Sequence, residues 1–230
     1  MNNKSLRVLF VIVAFLCFEN ASSQNKKYRT GILAGYNNYK TSSNFADAKT
    51  GNGFHIGFID DMYIGDKFGF TFAFIYQRNY VPFNTTSSGY SYSNDNYKTF
   101  TADNLDVPLK FYYNLLNIND KLIVSTNFGT TLKFFYGYDR KGSDDINLSP
   151  GGYEAKFLDS DGFVNLFWST GFQIEYKKTA ISFNYSKSIS NPYRNIELRS
   201  TDFFDPNAKF FKGNDNYFSI SFICFFNNRI

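Results

Sequence analysis

Residues 67–77 read KFGFTFAFIYQ, with an aromatic ring at every second position from Phe68 to Tyr76. Phe68, Phe70, Phe72, Phe74 and Tyr76 share one face of an extended chain, and Gly69, Thr71, Ala73, Ile75 and Gln77 share the other. Side chains of a strand alternate with a period of two, so this spacing predicts a β-strand about 35 Å long at ~3.3 Å per residue.

The same alternation recurs in seven more stretches, over 28–37, 53–60, 104–114, 121–135, 164–176, 179–187 and 217–226. No stretch of comparable length carries a helical period, so residues 24–230 read as one all-β domain. The links between stretches run over 38–52, 61–66, 78–103, 115–120, 136–163, 177–178 and 190–216, alternately long and short. The short ones hold Gly65-Asp66, Asn119-Asp120 and Lys177-Lys178, which suit tight hairpins. An eight-stranded antiparallel up-and-down transmembrane β-barrel explains that rhythm, with short turns in the periplasm and long loops outside.

Composition supports the same reading. Phe 29, Tyr 18 and Trp 1 make the chain 21% aromatic, yet its mean hydropathy is −0.34. A bundle of transmembrane helices, which needs repeated apolar runs of roughly 20 residues, is excluded. Disorder is excluded as well, because so many large apolar groups can repay chain entropy. The face opposite the rings collects the charges: Arg29, Asp106, Lys110, Lys133 and Glu175 are expected to form a polar network inside the barrel. In an eight-stranded barrel side chains fill the interior, so buried charges must be paired. Tyr28, Tyr36, Tyr63, Tyr76, Tyr80, Tyr113, Tyr136, Tyr138, Tyr176 and Tyr185 lie at or near strand ends, where amphipathic rings suit a bilayer interface. A soluble barrel or sandwich with its apolar face inward is the alternative.

Residues 1–23 read as a cleaved signal peptide. Lys4 and Arg7 precede an apolar run from Val8 to Phe18, and Ala21-Ser22-Ser23 offers a cleavage site before Gln24. A lipoprotein signal at Cys17 is disfavoured, because Leu16 rather than a small residue precedes the cysteine. Cys224 then has no intramolecular partner. A formal charge of +4 says little about nucleic acid, and no Lys/Arg block of five or more supports it, so no nucleic-acid partner is expected.

The segment Asn104-Leu105-Asp106-Val107-Pro108-Leu109-Lys110-Phe111-Tyr112-Tyr113 resembles the fourth strand of the PorT-like outer-membrane β-barrel family of the Bacteroidota. The pattern there is an acid, an aliphatic, Pro, Leu and a basic residue before an aromatic, so Leu105, Asp106, Val107, Pro108 and Leu109 carry the likeness. Gly31 to Asn37 resembles that family's first strand, and Phe163 to Tyr176 its late glycine-containing strand. The resemblance implies a barrel of about eight strands in the cell outer membrane and no shared reaction. One departure is that Phe225-Phe226 is followed by Asn227-Asn228-Arg229-Ile230, where many barrels end on an aromatic residue.

Candidate sites are few. His55 is the sole histidine, and nothing near it in sequence supplies a nucleophile, so it reads as a lone lumen or rim residue. Asp144-Asp145 and Asp159-Ser160-Asp161-Gly162 lack an EF-hand's later Gly and Glu and read as solvated loop acids. Tyr90, Tyr92, Tyr97 and Phe100 are candidates for a contact surface on the second long loop, against the plainer reading of a polar loop. No phosphate-cradling glycine loop and no Cys/His metal spacing occurs. The expectation is therefore a non-catalytic barrel without catalytic, metal or cofactor residues. Outer-membrane lipid is its environment, and an extracellular ligand or secretion-complex proteins would bind its loops. A narrow small-solute channel and a soluble secreted all-β binding domain are the alternatives.

Overall fold

In the computed structural model the described residues are 28–43, 48–84, 97–119, 121–139, 146–148, 153–156, 163–192, 197–200 and 212–227. They form β1 (Tyr28–Ser43), β2 (Gly51–Ile64), β3 (Phe68–Asn84), β4 (Tyr97–Ile118), β5 (Leu122–Asp139), β6 (Ile146–Leu148), β7 (Tyr153–Lys156), β8 (Phe163–Tyr176), β9 (Thr179–Ser188), β10 (Glu197–Ser200) and β11 (Gly213–Phe225). Eight of these close into an antiparallel barrel in the order β1-β11-β9-β8-β5-β4-β3-β2. Closure runs along β1 and β11, in register from Gly31↔Phe225 to Ser43↔Gly213.

Alternation sets the two faces. Phe54, Ile56, Phe58, Leu109, Phe128, Phe172, Phe218 and Phe222 are all exposed on the outside. Asn37, Gln77, Asn79, Asp106, Lys133, Asn165 and Glu175 are buried inside. The outward faces turn polar at one end, at Asn38 on β1, Asn52 on β2, Arg78 on β3 and Lys187 on β9. There Arg78 grips Asp103 through two bonds of 2.7 Å, and the Tyr76 hydroxyl donates to the same carboxylate at 2.8 Å. Among the described residues Asp60 is the one acid that interrupts the apolar band from outside, opposite Thr30 and Phe72.

Three tight turns lie at the other end. Gly65 takes φ 67°, where the absence of a Cβ removes the steric cost; Asn119 at 52° and Lys177 at 55° adopt similar values. Pro108 explains an irregularity of the ladder. Between Phe72↔Leu109 and Ile75↔Asp106 the β3–β4 pairing lapses without changing register, where proline has no N–H to donate. On its other side Pro108 still faces Thr131 of β5.

Several strands outrun the apolar alternation. Residues 78–84 and 97–103, read above as connection, pair from Arg78↔Asp103 to Asn84↔Tyr97. Likewise 38–43, 61–64, 115–118, 136–139 and 213–216 are strand. A hairpin continues for as long as backbone partners face each other, whether or not its outward residues are apolar, so hydrophobic periodicity marks only the central part. Phe100 accordingly does not lie on a loop surface: it is fully buried in β4, edge-on to Phe83 at 5.6 Å. Tyr97 also belongs to β4 and lies beneath the Lys49 ammonium, 3.8 Å from the ring centre. Tyr90, Tyr92, Asp144, Asp145 and residues 159–162 lie outside the described residues. Two of the long connections meet in a small antiparallel sheet of order β10-β7-β6.

Candidate functional site

Inward side chains gather in two layers with a chamber between them. The layer at the turn end is built on Arg29, the second residue of β1 and wholly shielded from solvent. Its guanidinium reaches across the barrel to β8, donating from Nη1 to Glu175 Oε1 at 2.5 Å and from Nη2 to Oε2 at 2.7 Å. This two-pronged geometry is the strongest that a carboxylate and a guanidinium can make. Asp61 of β2 lies 3.4 Å from Nη2, and the Thr71 hydroxyl donates to the same carboxylate at 2.7 Å. The Phe225 ring stacks on the guanidinium at 3.7 Å, and Tyr63 lies 5.1 Å away. Tyr63 therefore points inward, edge-on to Tyr112, and not to the interface that its place near a strand end suggested.

The layer nearer the loop end is built on Lys133 of β5. Its ammonium donates to Gln77 Oε1 at 2.7 Å and lies 3.3 Å from Asp106 Oδ2. Three rings surround it, with centres at 4.5 Å for Tyr217, 5.0 Å for Phe167 and 5.6 Å for Tyr39. Tyr217 donates to Asp106 at 3.1 Å and stacks on Tyr39 at 5.9 Å. The Tyr39 hydroxyl in turn donates to Asp215 at 2.5 Å, as does Thr41 at 3.1 Å. An ammonium held among ring faces is attracted by their quadrupoles as well as by the carboxylate.

Between the layers lies a chamber of about 70 Å³. Asn37, His55, Lys110, Asn127, Asn184 and Ser221 are among the residues that line it. Lys110 donates to Asn184 Oδ1 at 2.9 Å, and Asn184 passes a hydrogen bond on to Ser182 at 2.8 Å.

All five charged residues singled out from the sequence therefore face the interior, but in separate groups. Arg29 and Glu175 pair at the turn end, Lys133 and Asp106 pair nearer the loops, and Lys110 bonds an amide between them. On the strand that carries the family likeness, Asp106 and Pro108 point inward, while Leu105, Val107 and Leu109 point outward. Asp61, Gln77, Tyr217 and Phe225 complete the two layers and were not singled out from sequence. Parity was enough to place Gln77, Tyr217 and Phe225 on inward faces, and extending the second stretch by one residue places Asp61 there too. Among the described residues no group of three or more His, Cys, Asp or Glu converges as a metal site.

No protein-family model and no curated protein matches the chain. Among solved structures it is similar to Ail, the attachment invasion locus protein of Yersinia pestis, at 11% identity over 87% of this chain and 99% of that one, with a TM-score of 0.45. It is also similar to the outer membrane protein OprG from Pseudomonas aeruginosa, at 12% identity over 88% and 95%, TM-score 0.44. The translocator domain of autotransporter NalP from Neisseria meningitidis is a third, at 8% identity over 96% of each chain, TM-score 0.34.

Proposed function

We propose that this protein is an outer-membrane β-barrel with a closed lumen, whose role is structural, binding or secretion-associated and is carried by its loop end. One observation carries the reading: the barrel is inside out by the standards of water. Phe128 and Phe218 are 60% exposed, Ile56 is 56% and Phe222 is 55%, in a band that encircles the barrel. Soluble monomers rarely expose contiguous apolar patches beyond a few hundred Å². Hydrocarbon accepts such a band, and a closed barrel leaves it no unpaired backbone edge. The Arg78–Asp103 rim above the band and Tyr176 with Lys177 beside the turns supply polar and aromatic groups at both edges. The small sheet β10-β7-β6 joins two connections at the loop end, which supports recognition there. The likeness to the PorT-like strand supports a part in secretion assemblies over a purely structural one.

The chamber favours a second reading, a narrow small-solute channel. Two charged layers stand in its path, and a current requires both to open. Fractionation and bilayer recording test both readings. The protein is expected in the detergent-extracted outer-membrane fraction, with faster gel mobility before boiling than after. In planar bilayers it is expected to give no stable unitary steps. Recovery in soluble fractions without a heat-dependent shift overturns the barrel in lipid; steady unitary conductance replaces the closed lumen with the channel.

A further inference from the structure

His55 has partners that its own stretch of sequence does not show. It lies on β2 and Ser221 on β11, with β1 between them, and both are in register with Gly35. A Cβ at Gly35 would stand 2.5 Å from Cε1 and Nε2 of the imidazole. Glycine at this position therefore lets the ring lie across β1, and Nε2 comes within 2.8 Å of Ser221 Oγ. Asn37, the next inward residue of β1, places Oδ1 2.8 Å from Nδ1 of the same ring. The Asn37 amide nitrogen is turned to Asn79 Oδ1 at 3.4 Å, which fixes the amide's orientation. A carbonyl oxygen only accepts, so Nδ1 carries the hydrogen and Nε2 offers its lone pair to the Ser221 hydroxyl. A hydroxyl, a base and a group orienting the base thus stand in line, the arrangement that activates a serine. All three residues line the chamber.

We propose that Ser221 is a nucleophile for a small ester that enters this chamber, with His55 as its base and Asn37 as a positioning residue. Ser221 Oγ bonds to the ester's carbonyl carbon while its proton moves to His55 Nε2. The carbon–oxygen bond to the alcohol then breaks, and Nε2 returns the proton to the departing alcohol. Water deacylates the serine by the same route, releasing a carboxylic acid and restoring both side chains. Lys110 contributes a cation to the same chamber, which suits the negative charge that develops on the carbonyl oxygen.

The test uses the folded full-length barrel in detergent and diisopropyl fluorophosphate, which bonds phosphorus to an activated serine and loses fluoride. Peptide mass spectrometry is expected to find the adduct on Ser221 and on none of the other chamber serines. His55→Gln is expected to slow labelling about 100-fold or more, the scale of general base catalysis. Ser221→Ala abolishes it, and heat-modifiable mobility verifies that each variant is folded. In wild type the labelling rate follows the ionisation of a single imidazole, a dependence that His55→Gln lacks. Asn37→Leu is expected to change that pH profile as well as the rate, which a merely structural asparagine would not do. Absence of an adduct in the folded wild type overturns the proposal. So does labelling at equal rates in wild type and His55→Gln, which marks simple exposure. Failure here leaves the barrel in lipid untouched, because that reading rests on fractionation and mobility.

Discussion

Arg29→Met is expected to lower the free energy of unfolding by about 3–5 kcal/mol, the cost of removing one partner from a buried ion pair. Both Glu175 oxygens and one Asp61 oxygen bond to this guanidinium. Without it, two carboxylates are left facing each other at 4% and 2% exposure, with the Phe225 ring closing them off. Urea titration of the lipid-folded barrel, followed by the fraction that keeps its unboiled gel mobility, measures the loss. Pairing Arg29→Met with Glu175→Leu is expected to recover part of it, since neutralising both members of a buried pair costs less than stranding one. A single substitution that costs less than about 1 kcal/mol would show that water reaches these groups in the folded barrel.

The second large effect lies on the opposite face. Phe128 stands mid-strand on β5, between Phe111 on β4 and Thr170 on β8, and is 60% exposed. Phe128→Arg is expected to destabilise the lipid-folded barrel by about 2–4 kcal/mol, the cost of a cation at the bilayer midplane. The direction of the effect is diagnostic. On a soluble barrel an exposed Phe→Arg exchange removes an apolar patch and is neutral or helpful to solubility. Urea titrations of the Phe128→Arg and Phe128→Leu barrels in the same lipid separate charge from lost ring area. Equal midpoints for the two would place this face in water.

The sequence makes parity legible, but not height. Alternation alone assigns Phe68, Phe70, Phe72 and Phe74 outward and Arg29, Asp106, Lys110, Lys133 and Glu175 inward, and the barrel keeps every one of those faces. What parity cannot supply is the level at which each inward residue sits, because that depends on the stagger between strands. Arg29 meets Glu175 across 146 positions of sequence, and His55 meets Ser221 across 166. Lys110 and Lys133 look equivalent in the sequence, yet the stagger gives Lys133 a carboxylate and three rings and gives Lys110 an amide. Strand limits were illegible for a different reason. The paired residues 78–84 and 97–103 lie above the apolar band, where backbone pairing persists and outward polarity no longer alternates.

Gly31↔Phe225 belongs to the one seam whose two strands come from opposite ends of the barrel sequence. Every other seam joins barrel strands that follow one another, so it can zip from a turn or loop at modest entropic cost. The last seam must gather the whole ring first, and loop-closure entropy makes it the slowest to find. Its local fastening is correspondingly dense. Phe226 N–H bonds Thr30 O at 2.9 Å, Asn227 accepts from Thr30 N at 3.1 Å and donates to Tyr28 O at 3.0 Å. Phe225 then stacks on Arg29 within the same few residues. Asn227, just beyond the final aromatic pair, thus acts as a clasp. Until β11 has been made and docked, neither the ring nor the turn-end charge layer can exist, so assembly of the sheet and sealing of its interior are one event.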